Sequence, residues 1–125
     1  MTVSAIPCSR HRFRFATRFT HATGIEVNVD APDDLRITDR LAAELFQMIT
    51  EGLSNVRRHT DARSAWIVLY QGDEDVTLRI ENEHFEKKDE IFQPRSLTER
   101  ATSLGGQLGV HRDDGRTVVE IYIPL

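Results

Sequence analysis

The sequence predicts an α+β domain, a two-layer sandwich with helices on one face of a mixed β-sheet. Three observations carry that expectation. Leu41, Leu45, Met48, Ile49, Leu53 and Val56 recur at helical spacing and form one apolar stripe. Segments 24–30 and 76–82 alternate apolar with polar residues, the two-residue period of half-buried strands. The patterns run helix, strand, long helix, two strands, loop, helix, two strands, so helices and strand pairs alternate around one core. A length of 125 residues suits one such core.

Taken in order, the first element is a segment in which Arg10, His11, Arg12, Arg14 and Arg18 interleave with Phe13, Phe15 and Phe19. Arginines neutralise phosphates and aromatics stack on bases, so a nucleic-acid or anionic-lipid patch has this composition. So does a short helix with Phe15 and Phe19, four residues apart, on the core. The net charge of −4 favours the helix and argues against a general nucleic-acid binder. The strand GIEVNVD follows, with Ile25, Val27 and Val29 on one face. APDD then turns the chain, and Pro32 bars continued pairing. Thr38 or Asp39 caps a helix that runs to about His59.

SAWIVLYQ is apolar on both faces and is expected centrally in the sheet, with Trp66 and Tyr70 as core residues sharing one face. GDED turns into VTLRIEN, whose Val76, Leu78 and Ile80 face in. Residues 83–95 are charged and without period, and read as a loop. Ser96 and Glu99 have capping-box spacing for a short helix, SLTERATSLGG, which Gly105 stops. The last hairpin joins QLGVHR to TVVEIYIPL through the turn DDG.

Composition excludes several classes of function. No stretch approaches the roughly 20 apolar residues of a membrane span, and the N-terminal segment lacks an apolar signal core, so the cytoplasm is the expected location. A single cysteine, Cys8, makes no disulfide framework or multi-cysteine zinc site. No pair among His11, His21, His59, His84 and His111 has metal-ligand spacing. Nucleophile elbows, phosphate loops and HExxH are absent.

The long helix carries a second stripe: Glu44, Gln47, Glu51, Asn55 and Arg58 share a polar face. A solvated helix surface has the same spacing. A carboxylate and a carboxamide one turn apart can also hold a hydrated magnesium ion, which prefers oxygen ligands and keeps several waters. A cation on the next turn can meet phosphates that the metal leaves unneutralised.

The segment EGLSNVRRH, inside ELFQMITEGLSNVRRHTDA, resembles the N box of sensor histidine kinases, members of the GHKL ATPase superfamily with a Bergerat-type α/β sandwich. The resemblance extends through the strand pair and SLTERATSLGGQLGV to TVVEIYIPL. It covers residues 13–125 and leaves 1–12 as a tail or linker. LTERATSLGG looks most like kinases paired with response regulators that carry helix-turn-helix output domains. The resemblance implies ATP and Mg2+ as ligands. Asn55 stands where the family has its magnesium-coordinating asparagine. Glu51, the catalytic candidate, matches the acidic residue that orients or activates groups beside the phosphates. Arg58 replaces a phosphate-contacting basic residue, and His59 matches the closing histidine. Positioning and charge neutralisation do most of the work in phosphoryl transfer, which suits such a set.

The sequence also departs from the family. In RIENEHF, Asn82 falls at the position of the aspartate that accepts a hydrogen bond from the adenine amino group, and His84 replaces the first glycine of that box. Asparagine still accepts through its carbonyl oxygen, without the charge. Where a second glycine-rich box is expected, the chain reads EIFQPRS. Pro94 removes one backbone donor, and Arg95 and the helix N-terminus at Ser96 can compensate at the phosphates.

The function implied is an ATP-binding catalytic domain of a two-component sensor histidine kinase, supplying Mg-ATP for histidine autophosphorylation. The implied partners are the dimerisation and phosphoacceptor domain of a parent kinase and a response regulator. No histidine of this chain lies in an acceptor box. The altered glycine boxes leave an alternative, a pseudo-ATPase acting as an interaction module. A serine kinase of the anti-sigma type is a third reading, which LTERATSLGG and the PL ending fit less well.

Overall fold

A computed structural model of the chain describes residues 3–5, 9–83 and 93–125. Its elements are β1 (Val3–Ala5), α1 (Ser9–Thr23), β2 (Glu26–Asp30), β3 (Arg36–Thr38), α2 (Asp39–His59), β4 (Ser64–Gln71), β5 (Asp75–Glu83), α3 (Arg95–Ser103), β6 (Gln107–Asp113) and β7 (Arg116–Pro124). Five strands form one mixed sheet in the order β2-β4-β5-β7-β6. Only β2 and β4 run parallel, because α2 carries the chain back between them; every other neighbour pair is antiparallel.

Register decides which side chains meet the helices. The pairs Ile67 with Ile80, Leu69 with Leu78, and Leu78 with Ile121 put one apolar row across three strands. These residues pack with Leu45, Met48, Leu53 and Val56 of α2 and with Leu97 and Ala101 of α3 in one buried cluster. Each such large side chain contributes roughly 1.5–3 kcal/mol on burial. Together they join the two layers that the sequence predicts.

Helix α2 starts where its cap allows. Thr38 Oγ1 accepts from the Leu41 amide at 3.1 Å, and the helix runs on to His59. Helix α1 forms where the arginine–phenylalanine segment is expected to be helical. Ala16 is buried, and Phe15 meets Phe46 of α2 edge-on with centroids 5.0 Å apart. Strand β1 pairs antiparallel with β3, and α1 begins at Ser9. Gln71 pins β3 to the end of β4, accepting from the Arg36 amide and donating to the Arg36 carbonyl, both at 2.8 Å.

Two expectations are corrected. Ser96 does not cap α3. The cap lies two residues earlier, at Pro94, which makes no side-chain cap bond, and the helix starts at Arg95. The Thr98 amide and hydroxyl both donate to the Pro94 carbonyl, at 3.0 and 2.9 Å, so Ser96 is already inside the first turn. The far end behaves as expected: the Gly106 amide reaches the Ala101 carbonyl at 2.9 Å and the Gly105 amide that of Thr102 at 3.0 Å, the paired bonds of a Schellman stop.

The second correction concerns Trp66 and Tyr70, which lie on the sheet face away from the helices. The core side of β4 is Ala65, Ile67 and Leu69, while Tyr70 is 45% exposed. What half-covers Trp66 is a cation: the Arg116 guanidinium lies 3.5 Å from its ring centroid. Glu81, opposite Trp66 in register, is buried between Arg79 at 3.2 Å and Arg116 at 3.3 Å, so its charge is paired twice. The turn into β7 places Asp114 and Gly115 at φ 48° and 77°, the left-handed pair that a two-residue hairpin turn requires.

Candidate functional site

The polar face of α2 stands over the end of β5 because Gly52 lets it approach. A Cβ at that position would run into the Cδ1 of Ile80, which is buried beneath the helix. Glu51 directly precedes Gly52, and Asn55 follows it by three residues, one turn on. Asn55 is half-buried, and its Oδ1 accepts from Arg58 Nη2 at 3.1 Å. The structure therefore joins these two candidates directly. Glu51 is half-buried, and its Oε2 lies 3.4 Å from Arg100 Nε on α3. Arg100 Nη1 is also 3.6 Å from Glu44 Oε2. His59 is exposed in the last turn with Arg57 and Arg58, where cations complement the C-terminal end of the helix dipole.

Asn82 lies on the helix side of β5, in register with Ala65 and Thr117, and is 6% exposed. Its Nδ2 donates to the Glu83 carbonyl at 2.8 Å, which fixes the carboxamide and leaves Oδ1 as its acceptor. Glu83 serves the backbone rather than a ligand: its Oε1 accepts from the amides of Arg63 at 2.9 Å and Ser64 at 2.8 Å. His84 and the segment to residue 92, which holds the start of the expected second glycine box, lie outside the described residues. Arg95 and Ser96 open α3 and are exposed. Among the described residues no hydrogen bond or ion pair joins either of them to Glu51, Asn55 or Asn82.

Sequence reading passed over Arg100. The signal was present: Arg100 neighbours Ala101 and follows Leu97 by three residues, so it borders the buried stripe of α3. Its partners are 49 and 56 residues away, and no local pattern reports such a pairing.

The donor set also decides which metal could fit. Among the described residues no group of three or more His, Cys, Asp or Glu side chains converges on one point. A protein-only cage is therefore not built. One carboxamide oxygen with a carboxylate a turn away suits Mg2+, which keeps its waters and takes further ligands from substrate phosphates. Asn55 and Glu51 carry that pair of donor types on one face of α2.

The fold is that of a class the sequence also shows: the chain belongs to the sensor histidine kinases. It is 30% identical over 98 residues to the sensor histidine kinase LiaS of Bacillus subtilis, a match that covers 74% of this chain and 27% of LiaS. The chain thus spans about a quarter of the length of that relative. In structure it is similar to the blue-light activated histidine kinase of Erythrobacter litoralis EL346, with a TM-score of 0.72 and 24% identity, over 96% of this chain and 46% of that one. It is also similar to the catalytic domain of histidine kinase ThkA, with a TM-score of 0.68 and 14% identity, over 99% of this chain and 97% of that domain. No family model matches the chain.

Proposed function

We propose that the chain binds Mg-ATP and presents it for phosphorylation of a histidine in two-component signalling. The observation that carries this reading is one helix face. Glu51, Asn55 and Arg58 lie on successive turns of α2, which Gly52 lets close on the strand that carries Asn82. In this reading Asn55 Oδ1 would hold the metal that accompanies the nucleotide, and Arg58 would meet a phosphate oxygen. The Asn82 Oδ1 accepts from the adenine amino group, its orientation set by the Glu83 carbonyl. Glu51 orients or activates groups beside the phosphates and the metal, the metal's waters included, and His59 closes the helix face. Arg95 and Ser96, at the start of α3, meet the phosphates in place of the glycine-bearing backbone. Mg2+ supplies charge neutralisation at the transferring phosphoryl group.

The acceptor histidine belongs to a dimerisation and phosphoacceptor domain of a parent kinase, and the phosphoryl group passes on to a response regulator. Among the described residues no helix is long and apolar enough to cross a membrane. We place the domain's work in the cytoplasm, where ATP is held.

The test is calorimetric titration of the chain with ATP and Mg2+, with Asn55→Ala as the comparison. Micromolar binding is expected, weakened in Asn55→Ala by on the order of tenfold or more, about 1.4 kcal/mol per decade. No heat and no thermal shift at millimolar ATP would overturn the reading. An interaction module without ATP turnover would take its place.

A further inference from the structure

We propose that Arg100 of α3 is a positioning residue for Glu51, its guanidinium held between Glu44 and Glu51 so that the Glu51 carboxylate keeps a fixed place beside Asn55. The inference deepens the Mg-ATP reading and rests on it. Glu44 and Glu51 are seven residues apart, about 10 Å along a helix rising 1.5 Å per residue. One guanidinium nonetheless meets both, Nη1 at 3.6 Å from Glu44 and Nε at 3.4 Å from Glu51. A planar fork with donors on different edges can do this; a lysine ammonium, a single point, cannot hold both. The Arg100 side chain is 38% exposed, and ion pairs in such surroundings contribute little stability. What the bridge does contribute is direction. It occupies Oε2 of Glu51 and restrains a side chain that otherwise turns about three bonds.

That restraint matters for the role proposed for Glu51. A carboxylate that orients a water or hydroxyl beside phosphates works only within a narrow range of positions. Glu44 anchors the guanidinium from the other side, so Arg100 cannot simply follow Glu51. The bridge also links the two helices of the proposed site. Arg100 stands on α3, whose first turn carries Arg95 and Ser96, while Glu51 stands on α2, one turn from Asn55. A shift of α3 therefore reaches the Glu51 carboxylate through a single side chain.

The experiment is titration of the chain with ATP, once without divalent cation and once with Mg2+. It is run in wild type, Arg100→Gln, Arg100→Lys, Glu51→Gln and the Arg100→Gln/Glu51→Gln double variant. A purely structural role for Arg100 would alter both titrations alike; a positioning role separates them. In Arg100→Gln, metal-free affinity is expected within about twofold of wild type, while the gain on adding Mg2+ falls about three- to tenfold. Glu51→Gln loses the same gain, and the double variant loses no more than either single one. Arg100→Lys, which keeps the charge and one contact, retains part of the gain and serves if the glutamine variant does not fold. An undiminished gain in both Arg100 variants, or losses that add in the double variant, would overturn the positioning role and leave nucleotide binding standing. A wild-type chain that binds no ATP would overturn both.

Discussion

Glu83 holds two backbone amides at once, those of Arg63 and Ser64, and so fastens the connection between α2 and β4 to the end of β5. Bonds from backbone N–H groups to a carboxylate are stronger than neutral ones, and losing the acceptor strands both donors. Glu83→Ala is expected to lower the unfolding free energy by about 1–3 kcal/mol, with Glu83→Gln between it and wild type. Urea unfolding at unchanged m reads this directly; wild-type stability in the alanine variant would mean that other bonds hold the connection. This role was not legible in RIENEHF, where Glu83 reads only as the residue after a possible adenine acceptor. Its partners are 20 and 19 residues back, and they are amides, which carry no identity in sequence.

Helix α2 shows both what sequence reveals and what it conceals. Its extent was legible because cap, apolar stripe and basic last turn are all local, and Thr38 and His59 mark its ends. The reason for Gly52 was not, since it lies across the interface on Ile80. Alanine at an exposed helix position would gain about 1 kcal/mol over glycine. Here its Cβ meets buried Ile80, and overpacking costs typically 1–3 kcal/mol. Gly52→Ala should therefore destabilise the chain. Adding Ile80→Val, which removes the opposing Cδ1, should bring the double variant to at least the stability of Ile80→Val alone. A double-mutant cycle by urea unfolding checks this, and simple additivity of the two losses would refute it. Strands β1 and β3 escaped notice for a different reason: three residues are too few to show alternation, even with Ile37 buried. Ser96 misled because a capping-box spacing says nothing about a proline carbonyl two residues earlier.

In the assembled domain, the layer order followed from the sequence, while the exposure of the two sheet faces did not. An unbroken apolar run in β4 predicts burial on both sides, yet among the described residues helices cover only one. On the other, arginine and glutamate side chains from β5 and β7 shield the ring of Trp66, an arrangement that cross-strand register alone creates. Glu51, Asn55 and Arg58 were readable because they belong to one helix, and Asn82 because it falls in a recognisable box. Arg100 was not, since only the fold brings it to Glu44 and Glu51.

The placement of Trp66 gives the chain a built-in optical probe. It is the only tryptophan, so all indole emission comes from the sheet face opposite α2. Its fluorescence should track global unfolding and stay unchanged when ATP is added, whereas Arg116→Ala should shift it to longer wavelength by admitting water to the ring. A change in emission on adding ATP to the wild-type chain would show that ligand binding reaches through the sheet. Loss of the fold and loss of the ligand can thus be followed separately in one cuvette.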